Sequence, residues 1–196
     1  MQEAKSPHSS PETKVAPNKK KTRAIQIIVL VVVIAISVLI VIYREKVTLL
    51  GAYGYLGAFL ISVIGSSSIV LPVPNWILIA SLGAAFNPYL IGLVAALGGT
   101  IGEMTGYGLG YSGRAVLEDL PRYKKVVSWM RKWGSVTIFI LALIPNPLFD
   151  VAGVAAGVLR FPLWKYIIWG FLGRLPKSII YAYMGIWFIG ILKWVS

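Results

Sequence analysis

The chain is 196 residues long, 57% hydrophobic and 13% charged, with a mean hydropathy of +0.76, a composition that belongs to integral membrane proteins and allows one compact membrane domain. It has no cysteine, and its single histidine, His8, lies in a polar tail, so disulfides, thiolate or histidine metal clusters, cysteine nucleophiles and histidine-based triads are excluded. The net charge of +12 sits in flanks and loops around apolar spans, where an anionic cytoplasmic leaflet rather than nucleic acid is its partner.

Residues 1–23 are polar, carry Pro7, Pro11 and Pro17, and end in the basic cluster Lys19, Lys20, Lys21 and Arg23; they read as a disordered cytoplasmic tail. Residues 24–46 form the expected N-terminal transmembrane helix. Its apolar run, Ala24 to Tyr43, spans roughly 30 Å at 1.5 Å per residue, one bilayer core. It is longer than a signal-peptide core and no clear small-residue cleavage site follows, so the helix is expected to be retained, with the basic N-terminus in the cytoplasm.

Residues 47–196 form the main membrane domain. From Val47 to Gly113 the one charged residue is Glu103. Leu71-Pro72-Val73-Pro74-Asn75 interrupts this apolar region, and Ile144-Pro145-Asn146-Pro147 interrupts a later one. Proline lacks a backbone donor and clashes with the preceding turn, so neither region is one unbroken helix. Broken backbone at membrane depth is tolerated where protein buries it or where it lines a wet cavity. The first repeat, 50–113, then reads as Leu50–Leu71, a proline break, Asn75–Phe86, a turn at Asn87-Pro88 and a long helix Tyr89–Gly113. The break either turns the chain back, making a re-entrant hairpin, or kinks a spanning segment; the hairpin is preferred.

The linker 114–134 is different in kind. Arg114, Arg122, Lys124, Lys125, Arg131 and Lys132 alternate there with Val126, Val127, Trp129, Met130 and Trp133 at near-helical spacing, as in a basic amphipathic segment lying in the cytoplasmic interface. The second repeat, 135–194, follows: Ser135–Ile144, the second break, Leu148–Leu159, and Leu163–Trp194 as one span kinked at Pro176.

The two repeats align. Pro72 and Pro74 recur 73 residues on as Pro145 and Pro147; Pro88, Gly99, Glu103 and Tyr107 recur 74 residues on as Pro162, Gly173, Lys177 and Tyr181. Charge puts the start of the first hairpin outside and of the second inside, so the repeats are antiparallel, with both hairpin tips near the midplane. The expected fold class is therefore an all-α membrane protein with an inverted repeat of two proline-broken hairpins, each followed by a long helix. Chance similarity between Gly/Pro-rich segments is the alternative.

An ionisable side chain inside a membrane is a functional candidate by default. Glu103, Asp150, Arg174 and Lys177 qualify. Arg174 and Lys177 share a helical face, and the repeat places Glu103 opposite Lys177. The four either line a groove for a phospholipid headgroup or form buried ion pairs that fix the packing of the repeats. Asn75 and Asn146, at the starts of the half-helices, either cap those helices, the commoner role, or contact ligand. The glycine-rich run Gly102 to Gly113 follows no strand, so a nucleotide loop is a poor reading; close helix packing is a better one. No residue combination supports hydrolytic or redox catalysis, and neither an enzyme nor a cofactor is expected.

The pattern Glu103-x-x-x-Tyr107-x-x-Gly110-x-x-Gly113-Arg114 resembles the signature of the DedA superfamily, whose domain is also called VTT or SNARE-associated. The run Ile144 to Gly153, with Gly157 and Pro162 after it, is similar to the branch containing vacuole membrane protein 1. The resemblance covers about residues 47 to 190. It implies facing re-entrant hairpins and lipid movement between leaflets, either as an energy-independent scramblase or as a proton- or sodium-coupled importer of a lipid phosphate such as undecaprenyl phosphate. Bacterial members usually carry acids at the first turn, where this chain has Ser66, Ser67, Ser68 and Asn75. They carry arginines at the second, where it has Ala142 and Leu148. That departure favours the scramblase, with membrane phospholipids as partners, polyprenyl phosphate as the alternative, and an oligomer left open. A non-transporting organiser of the membrane acting through the basic segment is a third reading. The short chain and simple tails point to a multi-pass protein of a prokaryotic plasma membrane.

Overall fold

The computed structural model describes residues 19–67, 74–113, 121–145 and 148–195. Among them every regular element is a helix: α1 (Lys19–Ile42), α2 (Arg44–Thr48), α3 (Ala52–Ser67), α4 (Asn75–Ala85), α5 (Pro88–Tyr111), α6 (Pro121–Trp133), α7 (Ser135–Leu143), α8 (Leu148–Val158) and α9 (Leu163–Val195). The expectations for the tail up to residue 18, and for Pro72, Arg114, Asn146 and Pro147, concern positions outside the described residues.

One boundary needs correction. The basic cluster Lys19 to Arg23 belongs to α1 rather than to the tail. Lysine and arginine are good helix formers, and nothing after Pro17 stops the helix from running back past the apolar span.

Local chemistry explains the breaks. Asn87 Oδ1 accepts hydrogen bonds from the Tyr89 N–H at 3.0 Å and the Leu90 N–H at 3.4 Å. Pro88 occupies the first turn of α5, where a missing donor leaves nothing unpaired. The Asn-Pro pair is thus a complete start signal. Gly51 and Gly134, at φ +52° and +53°, turn the chain into α3 and α7, a conformation open to glycine at little cost. The linker contributes a 13-residue helix, α6, that starts at Pro121. The expected final span is one helix of 33 residues that continues through Pro176; the ring removes the donor that would have met the Leu172 carbonyl.

Lengths separate the helices. The 24-residue α5 is long and apolar enough to cross a bilayer, whereas α3, α4 and α8 are shorter apolar helices of 16, 11 and 11 residues. A span needs about 20 residues. The surface of α5 is inside-out relative to a water-soluble helix. Leu93, Leu97 and Ile101 are exposed along one face, while Gly98, Gly99, Gly102 and Glu103 are buried on another. That arrangement suits a lipid surround, where small residues bring helices together.

The packing pairs correspond between the two halves. α3 lies along α5, and α7 along α9; α4 crosses to α9, and α8 crosses to α5; α5 and α9 pack on each other. α1 covers α4 and α6 covers α8. Both crossings are backbone against backbone. A Cβ on Gly83 or Gly185 would run into the carbonyls of Ala182 or Ala80, and one on Gly157 or Gly110 into those of Tyr107 or Val154. Two apolar clusters result, one around Ala58, Ile79, Leu82 and Ile91, the other around Val126, Ile138, Phe149 and Tyr166.

Candidate functional site

The polar side chains that these crossings bring inward meet in one cavity of about 270 Å³. Glu103 enters it from α5, Asp150 from the first turn of α8, and Arg174 and Lys177 from α9. All four intramembrane ionisable candidates therefore share one space. Asn75 at the start of α4 and Pro145, the described proline of the second interruption, also line it.

The charges divide into a closed pair and two open groups. Arg174 forms an ion pair with Glu103, and both are buried. The Arg174 Nη1 also donates to Ser66 Oγ at 3.0 Å, and the guanidinium lies 5.6 Å from the centre of the Phe149 ring. Glu103 and Lys177, matched by the repeat, both line the cavity, and the ion-pair partner of Glu103 is Arg174. The reason is steric. Gly99, one turn before Glu103, has no Cβ, and the space that a Cβ would take is filled by the Arg174 guanidinium. Among the described residues, Lys177 and Asp150 make no ion pair. Asp150 is exposed and Lys177 half-buried.

Asn75 does not cap its helix. It is the first helical residue; the N-cap is Pro74, with no side-chain cap. Asn75 packs on Gly65, and its Oδ1 is buried without a hydrogen-bond partner among the described residues.

The basic segment is elsewhere. Arg122, Lys124, Lys125, Arg131 and Lys132 are exposed along α6, while Tyr123, Val126 and Met130 are buried on the face towards α8. Lys125 lies 5.0 Å from the Trp129 ring and Lys132 5.5 Å from Trp133. The spacing of the buried residues matches the expected amphipathic helix, but Trp133 is exposed rather than part of the packed face.

Ser66, Trp76, Phe149 and Tyr181 also line the cavity and are not among the candidate site residues of the sequence. A serine run in an apolar span was a usable signal for Ser66. Tyr181 was visible as the repeat partner of Tyr107, whose hydroxyl instead donates to the Phe161 carbonyl at 2.7 Å. Beyond Trp76 lies an apolar groove of about 500 Å³ between α1, α4 and α9, lined by Val38, Ala80, Gly185 and Phe188 among others. Trp76 borders both spaces, and its ring centre is 6.3 Å from that of Tyr181.

A helical protein with an apolar exterior and its few charges gathered between its helices has the make-up of a membrane protein. The VTT domain matches residues 73–186, more than half the chain, and the protein belongs to the VTT-domain family. It is similar to undecaprenyl phosphate transporter A of Bacillus subtilis, 28% identical over 128 residues, which cover 58% of this chain and 64% of the transporter. It is similar to the vacuole membrane protein KMS2 of Arabidopsis thaliana, 31% identical over 119 residues, 55% of this chain and 27% of that protein. An uncharacterised protein of Methanocaldococcus jannaschii, MJ0201, is 30% identical over 130 residues, 64% of this chain and 79% of its own length. No solved structure matches the chain.

Proposed function

We propose that this protein moves phospholipids between leaflets as a scramblase. The headgroup passes through the cavity between two re-entrant hairpins, α3–α4 and α7–α8, while the tails stay in the bilayer. No bond changes, and the protein is not an enzyme. The observation that carries the reading is the convergence of Glu103, Asp150, Arg174 and Lys177, from both halves of the chain, on one cavity that Asn75 and Pro145 also line. Ionisable groups at membrane depth are costly, at least roughly 2.5–3.5 kcal/mol each on insertion scales, and they persist where they serve a polar path.

The inverted repeat is part of this proposal. Its support is the exchange of partners, in which α4 packs on α9 as α8 packs on α5, with glycines at corresponding crossings. The amino end of α4 opens on the cavity at Asn75 and Trp76, a placement that suits an anion such as a lipid phosphate. The apolar groove beyond Trp76 gives a chain a place beside the headgroup path. In this reading the protein is a multi-pass protein of a prokaryotic plasma membrane, with its N-terminus in the cytoplasm and α6 in the cytoplasmic interface.

A second reading, gradient-coupled transport of a lipid phosphate, draws on the likeness to a protein named an undecaprenyl phosphate transporter and on the Asp150 carboxylate, which makes no ion pair among the described residues, as an ion-binding group. The test is dithionite quenching of fluorescent phospholipid in proteoliposomes without an ion gradient. Quenching well beyond the outer-leaflet half supports the scramblase. Quenching of the outer half alone, becoming complete under a proton or sodium gradient, selects the coupled transporter. No movement under either condition rejects both.

A further inference from the structure

The closed pair and the two open groups differ in what they leave for a ligand. Glu103 and Arg174 neutralise one another, and Arg174 is further held by Ser66. What remains is one cation, Lys177, and one anion, Asp150, each without an ion-pair partner among the described residues and each lining the same cavity. These four are the ionisable charged side chains among the lining residues, and their formal charges sum to zero. The stretches 68–73 and 146–147, outside the described residues, contain no ionisable side chain.

We infer that the cavity selects a zwitterionic phospholipid headgroup, one phosphate and one ammonium, over an anionic headgroup or a phosphomonoester. This rests on the lipid-moving function proposed above. The phosphate meets Lys177 and the amino end of α4 at Asn75. The ammonium meets Asp150, with the aromatic rings of Trp76 and Tyr181 lining the same space, groups that attract an organic cation. Asp150 stands in the first turn of α8. A headgroup with both charges leaves neither open group unpaired. One with only a negative charge is set beside the Asp150 carboxylate, where like charges repel. The volume of about 270 Å³ lies just below the roughly 300–1,000 Å³ of drug-sized ligand sites. That suits a headgroup entering without its chains.

The test compares tail-labelled phosphatidylcholine, phosphatidylethanolamine and phosphatidylglycerol, identical in chain and label, by dithionite quenching in proteoliposomes. Each is read under whichever condition, gradient or none, supports movement. The expected result is faster movement of the two zwitterionic lipids than of phosphatidylglycerol, on the order of tenfold, equivalent to about 1.4 kcal/mol. Asp150→Asn removes the open anion from an exposed position and is expected to reverse the preference; Lys177→Gln is expected to deepen it. Equal rates for the three lipids, or an unchanged ratio in Asp150→Asn with an unchanged melting temperature, overturn the headgroup assignment and leave lipid movement standing. No movement of any lipid under either condition overturns the function beneath it as well.

Discussion

The Arg174 guanidinium reaches the Glu103 carboxylate through the space left open by Gly99. One missing Cβ therefore decides which of the two cations on α9 is neutralised and which faces the cavity. The pair joins the two longest inner helices at their contact, and Ser66 of α3 completes it.

Removing one member of this pair is expected to cost more than removing both. Glu103→Gln leaves Arg174 buried without its counter-charge, a loss of about 3–5 kcal/mol. The double variant Glu103→Leu with Arg174→Met is expected to recover much of that loss, because two buried charges leave together. Thermal unfolding in detergent, followed by tryptophan fluorescence, measures both. A double variant no more stable than Glu103→Gln would show that the pair holds the fold through packing alone.

Gly99→Ala is expected to push the guanidinium off Glu103 without touching either charge. The added Cβ lies against Nη1, 2.9 Å from Cζ, and overpacking of this kind costs typically about 1–3 kcal/mol. Flipping rate and melting temperature are expected to fall together. A variant with normal stability and normal flipping would show that the guanidinium has room to move.

The α4–α9 and α8–α5 crossings are expected to fail in the same way. Gly83→Leu and Gly157→Leu each drive a side chain into a facing backbone carbonyl, of Ala182 and Tyr107 respectively. Backbone does not yield as a side-chain tip does, so each loss is expected at or above the upper end of about 1–3 kcal/mol. Gly57→Leu, where a Cβ meets nothing within 4 Å, is the control and is expected to be near neutral.

The absence of cysteine makes topology directly measurable with single-cysteine variants at exposed positions. Thr48→Cys and Tyr89→Cys flank α3–α4; Lys132→Cys and Trp164→Cys flank α7–α8. If both hairpins are re-entrant, a membrane-impermeant maleimide labels the first two from one side of the membrane and the last two from the other. Labelling of Thr48→Cys and Tyr89→Cys from opposite sides would make the first segment a spanning one.

Asn87→Ala removes the acceptor that holds the Tyr89 and Leu90 N–H groups. A loss of about 1 kcal/mol is expected, with Asn87→Asp retaining most of the stability. Thermal unfolding of the two variants side by side separates capping from any packing role.

Much of this molecule was legible in the chain because its signals are local. Proline cannot continue a helix, Asn-Pro starts one, and an apolar run of given length has a fixed reach. The starts of α4, α5, α8 and α9 and the amphipathic face of α6 follow from such rules, as does the choice of Glu103, Asp150, Arg174 and Lys177, which stand out because charge is rare in apolar spans. Tertiary structure alone decided the pairing of those charges, because the partner of Glu103 depends on a void at Gly99 and not on spacing along the chain. It also decided that Asn75 faces the cavity instead of capping, that Tyr107 ties α5 to the α8–α9 turn while Tyr181 lines the cavity, and that Trp76 stands between a polar and an apolar space. Each of these depends on which helix crosses which, and at what height. Backbone contact between glycines and carbonyls sets that crossing, and a glycine in an apolar span carries no mark of its partner.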